Sequence, residues 1–272
     1  MPSHDELKAK AAATYNAAAD TYDAPANTFW ARFGSRTVER LGLQPGMRVL
    51  DVCAGTGASA IPAAQAVGPT GQVIAVDLAD NLLARLRAKA DRLGLTQIET
   101  RTGDLLDPPV AADGTFDAVV CVFGIFFLAD MAEGIRRLWH RVSPGGQLAL
   151  TTWGQDVFEP ADSIFWGAVR RERPDLYKNF NPWDMITTPD ALAALLAVAE
   201  VPDARVAAES ATHPLASQAA ALALIMGSGY RGTIDQLSAG ERSRVETRYL
   251  ADLAARKTTE ITADVLYAVA RN

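Results

Sequence analysis

From residue 47 onward, short apolar runs alternate with amphipathic stretches, and this alternation predicts parallel α/β construction. Met47 to Val52 reads as a buried strand, followed by Gly55, Gly57 and a helix over IPAAQAV that tolerates Pro62 in its first turn. Gln72 to Val76 is a second strand, and the helix after it carries Leu82, Leu86 and Leu93 on one face before Gly94 ends it. Gln97 to Thr102 is a weak third strand. Phe116 to Phe123 is continuously apolar, the pattern of a strand buried on both faces of a parallel sheet, so it should be central. Met131, Ile135, Leu138, Trp139 and Val142 then form one helical stripe, which SPGG should stop. Gln147 to Trp153 is the fifth strand. Thr188 caps a helix with Leu192, Leu195, Leu196 and Ala199, and Ala204 to Glu209 is the sixth strand. From Glu260 to Arg271, Ile261, Ala263, Val265, Tyr267 and Val269 alternate with more polar positions, which predicts a seventh strand with one wetter face.

The expected fold class is therefore α/β: a Rossmann-like, seven-stranded, mostly parallel sheet with helices on both faces. Residues 1–40, 154–187 and 214–258 fall outside this count. Their aromatics, among them Tyr15, Tyr22, Phe29, Trp30, Phe158, Phe165, Trp166, Tyr177, Phe180 and Trp183, mark packed additions and not linkers.

Composition narrows the class. A chain of 272 residues is one large domain or a core with attachments, and 49% hydrophobic against 21% charged residues excludes global disorder. The longest run without a charged residue or a strongly polar group, Ala118 to Ala129, is twelve residues, short of the roughly 20 that cross a bilayer. The charged N-terminal stretch MPSHDELKAK has no apolar signal core, so the expected localisation is cytoplasmic. Two cysteines, Cys53 and Cys121, are too few for a disulfide scaffold or a four-ligand zinc site, and no metal is expected. They should lie near each other as reduced thiols without assigned chemistry. A net charge of -6 repels a nucleic-acid backbone, so small molecules are the expected partners, and a homodimer is compatible with the reading.

Candidate chemistry concentrates in Val49-Leu-Asp-Val-Cys-Ala-Gly-Thr-Gly57, an acid inside the first strand followed by a glycine turn that opens a helix. Glycines there let a ligand approach the backbone, and the helix start offers free N–H groups. Gly55-Thr-Gly57-Ala-Ser-Ala60 also satisfies the dinucleotide fingerprint, with Asp77 placed for a ribose, so an NAD(P)-binding oxidoreductase is the alternative. Three features weigh against it. Asp51 lies on the strand, where a pyrophosphate needs no acid but a cationic amino-acid ligand benefits from one. Asp104, in Thr102-Gly-Asp-Leu, puts a second carboxylate at a neighbouring strand end, suited to an adenine amino group beside a ribose diol. A Tyr-x-x-x-Lys proton relay is absent from the sequence.

In these blocks the sequence resembles the class I S-adenosylmethionine-dependent methyltransferases, closest to the small-molecule branch of ubiquinone and menaquinone biosynthesis. VLDVCAGTG, VIAVDLADNLL, TGDLLD and FDAVVCVFGIFFLAD, followed by LWHRVSPGGQLALTTWG, agree in order over roughly residues 40–153. The resemblance implies one methyltransferase domain over residues 1–272: an N-terminal helical lid (1–40), a cofactor-binding core (41–153), acceptor-site additions (154–187 and 214–258) and the rest of the sheet (188–213 and 259–272). It implies S-adenosyl-L-methionine as cofactor. The backbone of Cys53, Ala54, Gly55, Thr56 and Gly57 would lie along its methionine part, with Asp51 supporting the turn and the amino group. Asp77 would accept the ribose hydroxyls and Leu78 would cover an adenine face. Asp104 would hold the adenine amino group, with Leu105 beside it, and Phe123 would line the methionine side. Cys53 stands where the family has its first motif glycine. The implied activity is methyl transfer to a small aromatic or hydrophobic acceptor; a non-catalytic cofactor-binding regulator is the competing class.

No catalytic base is assigned. His4 is near the terminus, His140 is in a last helical turn, and His213 follows the sixth strand, where it either faces the acceptor or lies in a solvated loop. Arg170, Arg171 and Arg173 are a solvated helix face or a clamp for an acidic acceptor group.

Overall fold

Among the described residues, seven of nine strands join one sheet, in the order β3-β2-β1-β4-β5-β9-β6. They are β1 (Arg48–Val52), β2 (Gln72–Asp77), β3 (Ile98–Thr102), β4 (Phe116–Val122), β5 (Val142–Trp153), β6 (Arg205–Glu209) and β9 (Val265–Arg271). The computed structural model of the chain describes residues 4–110 and 115–272, so the first three residues of the N-terminal lid segment lie outside it. β1 pairs in parallel with β2 and β4, β2 with β3, and β4 with β5. β9 runs antiparallel between β5 and β6. As expected, β4 is central: Ala118 to Cys121 are fully buried, which explains why its sequence does not alternate.

Helices cover both faces. The buried residues of α2 (Phe29–Leu41), from Phe29, Trp30 and Phe33 to Thr37, Val38 and Leu41, form a helical stripe that packs on β4, β5, β9 and α3 (Ala60–Val67). With right-handed crossovers, α3 and α4 (Asp80–Leu93) share that face. α5 (Met131–Arg141) and α7 (Pro189–Val198) pack together over the other half of the sheet. Asp130 and Thr188 cap those two helices through Glu133 N–H and Ala191 N–H. The remaining elements are α1 (His4–Tyr22), α6 (Ala161–Glu172), α8 (Gln218–Met226), the single turn α9 (Arg231–Ile234) and α10 (Ala239–Ala255). α6 packs on α10, while α1 packs on α4, α8 and α9. The N-terminal segment therefore divides: α2 belongs to the layer under the sheet, and α1 lies beyond it. Among the described residues no helix is long and apolar enough to cross a membrane.

Four local expectations are corrected. The last strand is split: β8 (Glu260–Thr262) pairs with β7 (Thr212–Pro214) in a separate ribbon, and β9 starts after Asp264. β9 has no wetter face, since Val265 to Ala268 are all buried between two neighbouring strands. α5 ends at Arg141, just before SPGG as expected, but β5 begins at once at Val142 and not at Gln147, so Ser143 to Gly146 lie within the strand and make an irregularity opposite Phe116 and Ala118, with Gly145 at φ +81°. On α4 the buried stripe runs from Leu82 to Ala90, whereas Leu93 in the last turn is 54% exposed.

Asp51 is the exception on β1. It is fully buried, its Oδ2 accepts the Ser59 hydroxyl at 2.8 Å, and its Oδ1 has no partner. Burial, opposed by Ser59 and reinforced by the charge of Asp77, raises its carboxyl to about 7.

Two measurements test this packing. A Cβ at Gly34 of α2 would lie 2.2 Å from the carbonyl oxygen of Ala58, so Gly34→Ala should destabilise the fold by about 2–4 kcal/mol in urea unfolding. Between roughly pH 4 and pH 7 the native Asp51 holds a proton that the unfolded chain has lost, so stability falls as pH rises through that window and then levels off. Asp162, raised to about 6, contributes only to the lower part. Asp51→Asn should remove more than about 1 kcal/mol of the decline, including its portion between pH 6 and 7; an unchanged pH dependence of unfolding would refute the assignment.

Candidate functional site

After β1 the chain turns through Cys53 to Gly57 into α3. Cys53 (φ +56°), Gly55 (φ +53°) and Gly57 (φ +92°) are all in the left-handed region, which glycine enters freely and cysteine does not. At Gly57 a Cβ would lie 2.3 Å from Leu86 Cδ1, so this position also allows α4 to approach. Asp77, at the end of β2, holds the turn in place: its Oδ2 accepts Gly55 N–H and its Oδ1 accepts Ala79 N–H, each at 2.8 Å. Burial raises the Asp77 carboxyl above the ordinary carboxylate range, against the pull of these backbone donors. Thr56 Oγ1 donates to Asp23 Oδ1 at 2.7 Å, and Lys89 Nζ reaches both Thr56 O at 3.0 Å and Asp23 Oδ2 at 2.8 Å. The turn is thereby clamped from two helices.

A cavity of about 260 Å³ opens at the C-terminal ends of the strands, at the point where the strand order reverses between β1 and β4. Of the residues singled out in the sequence, Cys53, Gly55, Asp77, Leu78, Asp104, Leu105 and Phe123 line it. Asp51, Ala54, Thr56 and Gly57 are not on its wall; they form the turn and the strand beneath it. Phe126, Phe127 and Trp153 are on the wall, and Phe123 stacks on Trp153 with centroids 3.9 Å apart at 17°.

Much of the remaining wall comes from the additions. Lys8, Tyr15 and Tyr22 enter from α1, and Lys8 Nζ is 2.8 Å from Asp104 Oδ2. Tyr22 stacks on Trp30 at 5.0 Å and 6°, and burial raises both Tyr15 and Tyr22 above the usual phenol range. Phe158, Trp166 and Trp183 come from the stretch after β5, and Ser228 and Tyr230 from the stretch after α8. Aromatic content marked most of these segments in the sequence. Lys8, Ser228, Tyr230 and its partner Asp162 carried no separate signal, because only the chain's return to the cavity makes them neighbours.

Other candidates lie elsewhere. His213 is in β7, buried and not in a solvated loop; its Nε2–H donates to Ala26 O at 2.5 Å, and its ring meets Phe29 edge-on at 4.9 Å. Burial lowers its pKa, and it is not on the cavity wall. His140 is exposed in the last turn of α5, and His4 opens α1. Arg173 pairs with Asp175 and Glu241, while Arg170 lies over the Tyr177 ring. Cys53 and Cys121 are neighbours: a Cβ at Gly124 would lie 2.6 Å and 2.9 Å from their sulfurs.

Comparison with known proteins agrees with this geometry. Residues 49–146 match the family described as a methyltransferase domain. A demethylmenaquinone methyltransferase of Bacillus cytotoxicus is 37% identical over 112 residues, covering 41% of this chain and 47% of the relative. A ubiquinone/menaquinone biosynthesis C-methyltransferase of Haemophilus ducreyi is 29% identical over 154 residues, covering 57% of this chain and 58% of the relative. The chain thus spans about half the length of the curated relatives that it matches. In fold it is similar to an S-adenosylmethionine-dependent methyltransferase from Aquifex aeolicus, with a TM-score of 0.52 at 21% identity over 70% of this chain and 88% of the other. A glycine turn clamped by the Asp77 carboxylate, Asp104 one strand further on and the sheet order thus accompany a match to a methyltransferase domain over residues 49–146, and in that region the chain is similar to enzymes of ubiquinone and menaquinone biosynthesis.

Proposed function

We propose that the protein transfers a methyl group from S-adenosylmethionine to a small, planar or apolar acceptor by direct displacement. The observation that carries this reading is a single cavity with two chemically different ends. Asp77, Asp104 and the Gly55 backbone face one part of it, and an aromatic wall of Phe123, Trp153, Phe126 and Trp183 faces the rest. The polar part fits the donor. Asp77 retains lone pairs for a ribose diol beyond its two backbone bonds, and Asp104 suits an exocyclic amino group once Lys8 gives way or shares it. Leu78 and Leu105 supply apolar cover for a base, the turn offers its backbone at Cys53 and Gly55 to the methionine part, and Phe123 closes that side. Asp51, with one unpartnered oxygen beneath the turn, would ionise more readily beside a cationic amino-acid group and then attract it.

The sulfonium brings an already activated methyl group, so the chain needs to supply alignment and dryness. Its aromatic wall presents an apolar acceptor edge toward the donor end, and α1 with the segments after β5 and α8 excludes water. A dinucleotide is disfavoured because Asp51, an acid below the turn, offers its pyrophosphate no partner and repels it when ionised. A cofactor-binding protein without turnover would bind the donor equally well; methyl transfer from labelled cofactor to a panel of phenols and quinols distinguishes the two.

S-adenosylhomocysteine should raise the melting temperature in proportion to the logarithm of its concentration above Kd, while NAD and NADP leave it unchanged; stabilisation by NAD alone would sink the reading. Asp77→Ala should weaken S-adenosylhomocysteine binding by about 1.5–3 kcal/mol in titration calorimetry, the usual loss for charge-assisted hydrogen bonds.

A further inference from the structure

Away from the cofactor motifs the cavity has a polar pole at Ser228 and Tyr230. Ser228 is 3% exposed, lines the cavity, and its Oγ has no hydrogen-bond partner. Tyr230 lines the same wall, and its hydroxyl donates to Asp162 Oδ1, which also accepts Trp166 Nε1–H at 3.1 Å. Asp162 is in the first turn of α6, and burial, with Glu159 and Asp184 nearby, raises its carboxyl to about 6. At neutral pH it is still a carboxylate and holds the Tyr230 proton. The Tyr230 oxygen is therefore left with lone pairs only, while the Ser228 hydroxyl is free to donate.

These two groups ask complementary chemistry of a ligand. A carbonyl, ether or halogen satisfies Ser228 but offers Tyr230 nothing. A hydroxyl satisfies both, its oxygen accepting from Ser228 and its proton going to Tyr230. Trp30 Nε1, the other unpartnered buried polar atom on the described wall, is a donor only and does not discriminate. We propose that Ser228 and Tyr230, the latter positioned by Asp162, form a hydroxyl-reading subsite, so that the acceptor is a phenol or enol and not the corresponding carbonyl or quinone. That the ligand is a methyl acceptor rests on the function proposed above; the hydroxyl preference of the subsite does not.

The test compares 2-naphthol with 2-fluoronaphthalene, similar in shape but without a donor, by calorimetry at pH 7.5 with and without saturating S-adenosylhomocysteine. The wild-type protein should bind 2-naphthol about tenfold or more tightly than the fluoro compound, the selectivity expected when a buried polar site loses its partner. Tyr230→Phe should bring the ratio near one while leaving affinity for 2-fluoronaphthalene and affinity for S-adenosylhomocysteine close to wild type. Ser228→Ala should weaken 2-naphthol about fivefold with the same controls unmoved. Equal binding of the two probes by the wild type, no binding of either, or a preference that survives Tyr230→Phe would overturn the proposal. Failure of S-adenosylhomocysteine to bind the wild type would instead count against the methyl-transfer reading.

Discussion

The Asp77 carboxylate is the join on which the site depends. One oxygen accepts Gly55 N–H, the other accepts Ala79 N–H, and so the end of β2, the turn after β1 and the start of α4 share one rigid arrangement. The cost is a buried charge next to another: Asp77 raises Asp51, and burial raises both. Thr56, Asp23 and Lys89 add a clamp from the helical side, so the turn keeps its shape without help from a ligand.

Backbone strain sits where the strands meet the cavity. Cys53 after β1 (φ +56°) and Phe123 after β4 (φ +55°) are both left-handed without being glycine, and both line the wall. The surrounding packing holds them there. Phe123 is stacked on Trp153, and Gly124 lets the chain pass so close to Cys53 that a Cβ would be 2.5 Å from the Cys53 Cβ. Cysteine in place of the family's first motif glycine is therefore accommodated by its neighbours and not by its own backbone preference.

The acceptor side is built differently from the donor side. The donor side rests on strand ends and short turns, whereas the acceptor wall is assembled from α1 and from segments after β5 and α8, with the Tyr22–Trp30 stack joining α1 to α2. The ion pair between Lys8 and Asp104 ties the same helix across to the end of β3. α1, a helix that packs on α4, α8 and α9 and is not part of the sheet layers, thus borders both ends of the cavity.

Local pattern alone determined β1, β2 and β4, whose burial on both faces leaves a direct mark as an unbroken apolar run, and with them the placement of Asp77 and Asp104 at neighbouring strand ends; β3 and β6 have no buried residue and left only a weak mark. The same local logic misread Glu260 to Arg271, where alternation suggested one strand, since a break at Asp264 and burial between β5 and β6 are decided by partners distant in sequence. It left His213 between two readings; the structure settled it as a buried residue bonded to Ala26, 187 positions away. Only the tertiary structure decided that Tyr230 meets Asp162 across 68 positions and that Lys8 meets Asp104. A side chain's partners across long loops follow from how the layers close, and no short-range periodicity records that.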